Sequence, residues 1–392
     1  MAKKNEVQEK KGLKKLRANF EVVGEVGPLA EWNFNIGSKS DSGFKYNNMK
    51  LNIKSEEHNS VSCEAMGGYF PDSVSNKIRV RMKDTSENAE VAWEDRFNDN
   101  IIKEISDMSL ITIALEKDVN NKLVYKKFLS WYDAIEYVQS RISEGMRVKV
   151  RGNLTYSEYN DTVTARKNIQ SIYLANDKDV NHSHFNQTVL TTLGDLDSSH
   201  LKQDGIVDIR GRVVDYDRDL KQNRAFTQLF KYQVNKEDME KSSKFLKYLV
   251  PTKKGVLREI TVEGNLMEGA SISSVSKDDI PDELKELIDM GLYSEQEILD
   301  KMVVKGNKEV SFVITKPMVT PAKEGQLPKL MLDDTKYTLD DLIVVVPEPE
   351  EVEEAEKPTA SDDDIDKMLS DLSADEENAE EDPLAWMKEL EE

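Results

Sequence analysis

The sequence has very little cysteine and histidine. Of its 392 residues, one is a cysteine, Cys63, and four are histidines. A single cysteine cannot form an internal disulfide, and so few ligands argue against a structural zinc site. The sequence also has no GxxxxGK[ST], HExxH or GxSxG motif, which argues against P-loop NTPases, zincins and α/β-hydrolases. We therefore expect a protein that is not an enzyme and holds no metal and no cofactor.

Long hydrophobic runs are absent as well. No stretch approaches the roughly 20 consecutive apolar residues that cross a membrane. The first 17 residues are rich in lysine and no apolar core follows them, so we expect no signal peptide, no membrane contact and a cytoplasmic location. At roughly 150 residues per domain, the length favours two or three domains.

Negative charge is abundant, and it is concentrated at one end. The formal net charge is −21, and residues 347–392 contain 20 acidic and three basic residues, a net charge of −17. The rest of the chain is therefore nearly neutral. A segment of this composition cannot bury enough apolar area to offset the entropy lost on ordering, so the sequence predicts a disordered acidic tail.

Two short apolar clusters interrupt this tail. In the first, acidic residues precede an apolar one: Asp362, Asp363, Asp364 and Ile365. In the second, apolar residues follow an aspartate at helical spacing: Asp382, Leu384, Trp386, Met387 and Leu390. An inert solubilising tail is one interpretation, but solubility does not require exposed tryptophan or methionine. The other is a docking peptide, steered by its acids and anchored by its apolar face.

Strand and helix patterns occur twice along the chain. Alternating residues predict strands at 19–26, 48–54, 60–66, 78–82 and 110–115, a helix at 130–142, and a hairpin of strands at 146–157 and 162–174. A similar order follows, with strands at 205–215, 225–234, 258–266 and 270–275, a broken helix at 281–302, and closing strands at 309–319 and 329–346. The sequence therefore predicts a structural duplication without a close sequence repeat.

Three of these strands carry glycine in a shared pattern. Residues 145–154 and 205–214 each begin with glycine and contain a second glycine, and residues 258–266 are a partial copy. An internal glycine permits the sharp bend that a strand of a small barrel needs. These strands resemble those of OB-fold barrels, and the helix at 130–142 resembles the helix between the third and fourth strands of that fold. With the acidic tail, the chain resembles the bacterial and phage single-stranded DNA-binding proteins.

The resemblance implies a mainly β fold with added helices, in which tandem OB-like barrels precede a disordered acidic tail. We expect five parts: a basic flexible arm at residues 1–15, a first OB-like domain at 16–178, a linker at 179–203, a second OB-like domain at 204–346, and a partner-binding tail at 347–392. That family usually ends in proline and phenylalanine with a free carboxylate, whereas this chain ends in Glu-Leu-Glu-Glu.

The same resemblance implies binding and protection of single-stranded DNA, without strong sequence preference, during replication or recombination. Its tail would recruit replication or recombination proteins in a bacterium, or in the bacterial host cell of a phage, and self-association stays open. One alternative is a structural or adaptor protein of phage assembly whose barrels bind protein. Another is an enzyme with Mg²⁺ at Asp215, Asp217 and Asp219, although the flanking Arg218 and Lys221 favour a solvated turn.

Binding a single strand requires cations along the phosphate path and aromatic rings for the bases. Alternation places cations on one face of several strands, and tyrosines lie at strand ends among polar neighbours. The predicted DNA-binding residues are Lys45, Tyr46, Arg79, Arg81, Arg147, Lys149, Arg151, Tyr156, Tyr159, Arg210 and Arg212. A solvated strand face is the alternative for the cations, and a core position is favoured for Phe226, Phe230 and Tyr232.

Overall fold

The computed structural model describes residues 12–71, 73, 76–202, 205–235, 239–270, 280–281, 284–285, 288, 290, 298, 308–321 and 327–344. Within them the protein is mainly β, as predicted, with one sheet of 15 strands and a separate two-stranded hairpin. No helix in this part of the chain is long and apolar enough to cross a membrane. Both predicted docking clusters of the acidic tail, and most of the basic arm, lie outside the described residues.

Each half of the chain has its own series of elements. The first half contains β1 (Ala18–Val26), β2 (Phe34–Lys39), β3 (Lys45–Glu56), β4 (Asn59–Tyr69), β5 (Lys77–Arg81), β6 (Asn88–Ala92), α1 (Asp99–Glu104), β7 (Ile111–Lys117), β8 (Leu123–Phe128), α2 (Trp131–Gln139), β9 (Arg147–Tyr159) and β10 (Thr162–Leu174). The second half contains β11 (His182–Thr191), β12 (Leu196–Asp197), β13 (Ile206–Asp217), β14 (Gln222–Gln233), α3 (Met239–Leu249), β15 (Arg258–Ala270), β16 (Lys308–Pro317) and β17 (Leu332–Asp333). Short 3-10 helices lie at Glu31–Asn33, Trp93–Asp95, Asp107–Ser109, Leu193–Asp195 and Leu339–Leu342.

Five strands of the first half close into a barrel. β1 pairs antiparallel with β3 and with β9, β3 pairs with β4, and β9 pairs with β10. The ring is closed by β4 and β10, which run parallel. The helix α2 comes between the third and fourth strands of the ring, as the resemblance to OB barrels predicts.

Five strands of the second half repeat this arrangement. β11 pairs with β13 and β15, β13 with β14, and β15 with β16, all antiparallel, and the parallel pair β14 and β16 closes the ring. The helix α3 again comes between the third and fourth strands. The predicted duplication is therefore confirmed. The fourth strand of this barrel is β15, so residues 258–266 are the counterpart of β9, whereas residues 205–214 belong to the second strand.

The two barrels belong to one sheet because their first strands pair. Six consecutive residues of β1 pair antiparallel with β11, and Phe20 lies directly opposite Phe185. Each phenylalanine also faces a glycine of the fourth strand of its own barrel, Gly152 for Phe20 and Gly264 for Phe185. A Cβ at Gly152 would lie 2.7 Å from the Phe20 ring, and one at Gly264 would lie 2.6 Å from the Phe185 ring. Both positions therefore require glycine.

The predicted linker at residues 179–203 contains β11, a central strand of the sheet, so this prediction was wrong. Its polar composition was misleading because several of the polar side chains are buried against neighbouring strands. Ser183 donates a hydrogen bond to the Leu266 carbonyl at 2.6 Å, and the hydroxyls of Thr188 and Thr261 lie 2.8 Å apart. Polar residues with partners on neighbouring strands are compatible with a buried strand.

The break predicted at residues 267–269 is also absent, because β15 runs through it and contacts the first barrel. Glu268 forms a buried ion pair with Lys167 of β10 at 3.0 Å. Asn59, at the turn between β3 and β4, donates to the Leu266 carbonyl and accepts from the Glu268 N–H, both at 2.8 Å. The far end of β15 therefore holds the two barrels against each other.

An insertion in the first barrel, between β4 and α2, has a small core of its own. Its hairpin of β5 and β6 pairs residues 77–81 with residues 88–92. The buried residues of this core are Val80, Val91, Ile105, Leu110 and Leu129. The helix α2, which follows the insertion, confirms the helix predicted near residues 130–142. Its N-cap is Ser130, whose side chain accepts a hydrogen bond from the Tyr132 N–H at 3.1 Å.

Replacing Gly152 or Gly264, the glycines opposite Phe20 and Phe185, should destabilise the whole protein. In Gly152→Ala the added methyl group would overlap the Asn168 carbonyl and crowd the Phe20 ring, and we expect a loss of about 3 kcal/mol in the free energy of unfolding. Gly264→Ala should behave alike. Urea denaturation measures both. The matched control is Gly194→Ala, where no atom lies within 4 Å of the new methyl group. Equal stability of all three variants would contradict the prediction.

Candidate nucleic-acid interface

The three predicted cations of β9, here called the β9 row (Arg147, Lys149 and Arg151), are all engaged by neighbours. Arg147 donates to the Asn176 carbonyl at 3.0 Å, and Lys149 pairs with Asp179 at 2.5 Å. The Lys149 side chain is only 19% exposed. These two cations therefore tie the loop after β10 to β9. Whether the β9 row also contacts DNA stays a prediction.

Arg151 belongs to a charged cluster where β1, β9 and β11 meet. It pairs with Glu21, whose other carboxylate oxygen lies 3.0 Å from Nε2 of His182, and the His182 ring stacks on His184 at 4.2 Å. Burial raises the pKa of Glu21, but Arg151 and His182 outweigh it and hold this pKa below 4.5, its ordinary value. Burial, followed by the nearby His182, lowers the pKa of His184. The cluster stabilises the junction of the barrels.

The two tyrosines predicted to stack on bases have opposite environments. Tyr156 is buried, its N–H donates to Asp215 and its hydroxyl donates to Gln187, both at 3.0 Å. Burial raises its pKa. Tyr156 therefore cannot present its ring to a base, because it shares the inward face of β9 with Leu154. Tyr159, which ends the same strand, is 79% exposed and keeps its predicted position at the surface.

A hairpin of each barrel meets a hairpin of the other beside Tyr159. Arg224 of β14 pairs with Glu158 of β9 at 2.7 Å and with Asp217 of β13. Tyr216, next to Asp217, is 47% exposed. We call Tyr159, Tyr216 and Arg224 the hairpin patch. Tyr216 was not predicted from the sequence. The alternation along β13, which places Tyr216 outward between two inward residues, was the signal that could have identified it.

The aspartates considered as a magnesium site form contacts at the same junction of the two hairpins. Asp215 pairs with Lys15 at 2.6 Å and accepts the Tyr156 N–H, while Asp217 pairs with Arg224. In the part of the chain that the structure describes, no group of three or more His, Cys, Asp or Glu residues is placed to hold a metal ion. These carboxylates are therefore explained by their contacts with cations.

The predicted cations of the second barrel lie on the outer face of β13. Arg212 pairs with Asp195 at 2.5 Å, and Arg210 lies 3.5 Å from Asp197. The Arg212 side chain is 25% exposed and that of Arg210 is 57% exposed. Of the two, Arg210 is therefore better placed to meet a ligand. Phe226 and Phe230 are buried in the core, as expected.

The remaining predicted residues lie on other elements of the first barrel. Lys45 and Tyr46 begin β3, and the Tyr46 ring stacks on Phe44 with centroids 6.3 Å apart. Arg79 and Arg81 lie on β5, and the Arg79 side chain is 91% exposed. Because β5 belongs to the separate hairpin, the structure does not join these arginines to the β9 row in one strand face.

A cavity of about 270 Å³ opens between the end of β4, the hairpin of β5 and β6, and the start of α2. Tyr69, Trp93 and Trp131 contribute to its lining, and Lys77 belongs to it as well. Tyr69 and Trp93 stack with ring centroids 4.4 Å apart, and the Arg96 guanidinium lies 4.2 Å from the Trp93 centroid. We call this space the aromatic cavity. Sequence reasoning missed it because its walls come from five separate segments of the chain.

Comparison with known proteins gives little. No family model matches the sequence, and no curated protein matches it. Among solved structures, the chain is similar to a deletion variant of the single-stranded DNA-binding protein from Thermus aquaticus, with 12% sequence identity and a TM-score of 0.28. The match covers 65% of this chain and 89% of that chain. A TM-score this low decides neither the family nor the function.

The ion pair of Arg151 and Glu21 should make stability depend on pH. Because the pKa of Glu21 is lowered by folding, its contribution is present above pH 4.5 and is lost as the pH falls through the folded-state pKa. Arg151→Gln should therefore cost about 0.5–1 kcal/mol of unfolding free energy at pH 7, and the cost should shrink by pH 3. Urea denaturation at both pH values measures this difference.

Arg79→Gln is the control, since that side chain is 91% exposed. We expect it to be neutral at both pH values. A cost of Arg151→Gln that is the same at pH 7 and pH 3 would show that Glu21 is not the partner that matters.

Proposed function

We propose that the protein binds single-stranded DNA without strong sequence preference, as a non-catalytic protein of replication or recombination of the kind found in bacteria and phages. The observation that carries this proposal is the hairpin patch. An exposed tyrosine from each of two OB-like barrels lies on a hairpin, and Arg224 joins the two hairpins. Any unstacked base can stack on a tyrosine ring. Such a pair of rings therefore favours binding of single strands without preference for a particular sequence.

The architecture supports the same proposal. OB barrels are a fold that binds oligonucleotides, and here a hairpin of one barrel contacts a hairpin of the other through Arg224 and Glu158. A fold alone does not imply a function, so the argument depends on the exposed rings and not on the barrels. Outside the tail the chain is nearly neutral, so attraction to phosphate must come from local cations such as Arg79 and Arg210, both mostly exposed.

Removing a ring of the hairpin patch should weaken DNA binding and leave the fold intact. For Tyr159→Ala and for Tyr216→Ala we expect a loss of about 1–3 kcal/mol in binding free energy, because each would remove one stacking platform. The thermal midpoint should hardly change, since both rings are exposed. Fluorescence titration with a poly-dT oligomer across a salt series measures binding.

Tyr248→Ala is the matched control, because this tyrosine is 50% exposed and lies on α3. It should bind as the wild type does. If the wild type binds no oligomer even at low salt, the proposal fails, and the protein-binding adaptor becomes the better interpretation.

We further propose that the acidic tail recruits partner proteins. The proposal is supported by the sequence alone, which places Trp386 among apolar residues within a segment of net charge −17. Tryptophan is enriched at interface hot spots, and acidic neighbours accelerate encounter with a basic partner.

Trp386→Ala should therefore abolish recruitment of replication or recombination proteins, with a cost of about 2 kcal/mol or more at the interface, and leave DNA affinity intact. A pull-down from the native host compares the wild type, this variant and a chain ending at Pro347. Recovery of the same proteins with all three would show that the tail is only a charge spacer.

A further inference from the structure

We propose that the aromatic cavity holds one unstacked nucleobase of the bound strand, and that the cations of β5 hold the adjoining phosphates. This inference rests on the proposed function and adds a site that lies away from the hairpin patch. The site is built on the insertion between β4 and α2, which is not part of either barrel ring.

The walls of the cavity suit a flat, partly polar ligand. Tyr69, Trp93 and Trp131 supply ring surface, and Ile78 supplies an aliphatic wall. The Ser130 hydroxyl oxygen accepts a hydrogen bond from the Tyr132 N–H, and within the described residues its own hydrogen has no acceptor. A hydroxyl donor beside aromatic walls matches a base, which has two flat faces and an edge that carries hydrogen-bond acceptors as well as donors.

The floor of the cavity offers main-chain groups as well. β10 pairs with β4 at one position, opposite Glu64, and no strand in the described part of the chain continues this edge toward the cavity. Gly67 and Gly68 line the cavity on that stretch, and the start of α2 packs on Gly67. An open strand edge presents N–H and C=O groups that a base edge can pair with.

The cations of β5 form a row that begins at this cavity. Lys77, Arg79 and Arg81 alternate with Ile78 and Val80, which are less exposed, so the three cations share one face. Neighbours in the row lie about 6.7 Å apart, two residues of a strand. Lys77 lines the cavity, and its ion pair with Glu90 at 2.9 Å is solvent-exposed. An exposed pair of this kind contributes little, so a phosphate can replace the carboxylate at small cost.

The cavity and the hairpin patch are connected by one strand. β10 begins at Thr162, beside the hairpin patch, and reaches Ser171, which pairs with Thr112 of β7. Its neighbour Ile111 lines the cavity. Thr162 and Ser171 are nine positions apart on β10, which corresponds to about 30 Å. A single strand that follows β10 would place several nucleotides between the two sites, within the roughly 4–16 nucleotides that an OB barrel covers.

The test uses the full chain and two probes, deoxyadenosine 5′-monophosphate and a dT oligomer of 12 nucleotides. NMR follows the indole N–H signals of the four tryptophans during titration with the mononucleotide. We expect the signals of Trp93 and Trp131 to shift, and those of Trp32 and Trp386 to stay. Ile78→Phe, which fills the cavity, should remove the shift and weaken oligomer binding about tenfold.

A surface variant keeps the test valid if Ile78→Phe fails to fold. Lys77→Gln should lower the slope of log affinity against log salt by about 1, as expected for one lost phosphate contact. Lys103→Gln, on the exposed helix α1 of the same insertion, is its matched control and should leave the slope unchanged.

Two results would overturn the inference. One is that the indole signals of Trp93 and Trp131 do not shift when the mononucleotide is added. The other is that a folded Ile78→Phe binds the oligomer as tightly as the wild type does. An unchanged salt slope in Lys77→Gln would show that the cations of β5 do not hold the adjoining phosphates. If the mononucleotide shifts Trp93 and Trp131 but the wild type binds no oligomer at low salt, the cavity binds a base and the proposed function is what fails.

Discussion

The pairing of β1 with β11 is the contact on which the rest of the structure depends. Each is the first strand of its barrel, and each uses one edge for the fourth strand of that barrel and the other edge largely for its counterpart. Backbone hydrogen bonds between the two first strands thus join the barrels, while the opposite edge of each strand belongs to its own barrel ring. Phe20 and Phe185 lie at the centre of this pairing, and the glycines beside them allow the strands to approach.

Several other contacts follow from that pairing. Once the first strands are antiparallel, the turn between the second and third strands of each barrel faces the other barrel. In the first barrel this turn carries Asn59, which bonds to β15, and in the second it carries Asp217, whose partner Arg224 reaches Glu158. The contact between the two hairpins is therefore a product of the duplication, since neither barrel alone would form the pair of Arg224 and Glu158.

The sequence predicted the elements better than it predicted their neighbours. The hairpin of β9 and β10, the helix α2 and the duplicated order follow from local periodicity, which depends on residues close together in the chain. The environment of Tyr156 does not, because its hydroxyl partner, Gln187, belongs to the other barrel. The ion pair of Arg151 escaped sequence analysis for the same reason, because its partner Glu21 lies 130 residues away. The polar residues of β11 likewise led to the prediction of a linker, because their hydrogen-bond partners lie on strands far along the chain.

The buried ion pair of Lys167 and Glu268 has a consequence for movement. Two charges held 3.0 Å apart with 7% and 5% of their side chains exposed lose their mutual attraction when they separate, which is costly for groups already removed from water. Rotation of one barrel relative to the other would break this pair, so the pair opposes the movement that a flexible linker between domains permits. A ligand that touches both must conform to a fixed spacing, so the cost of bending or stretching falls on the ligand and not on the protein.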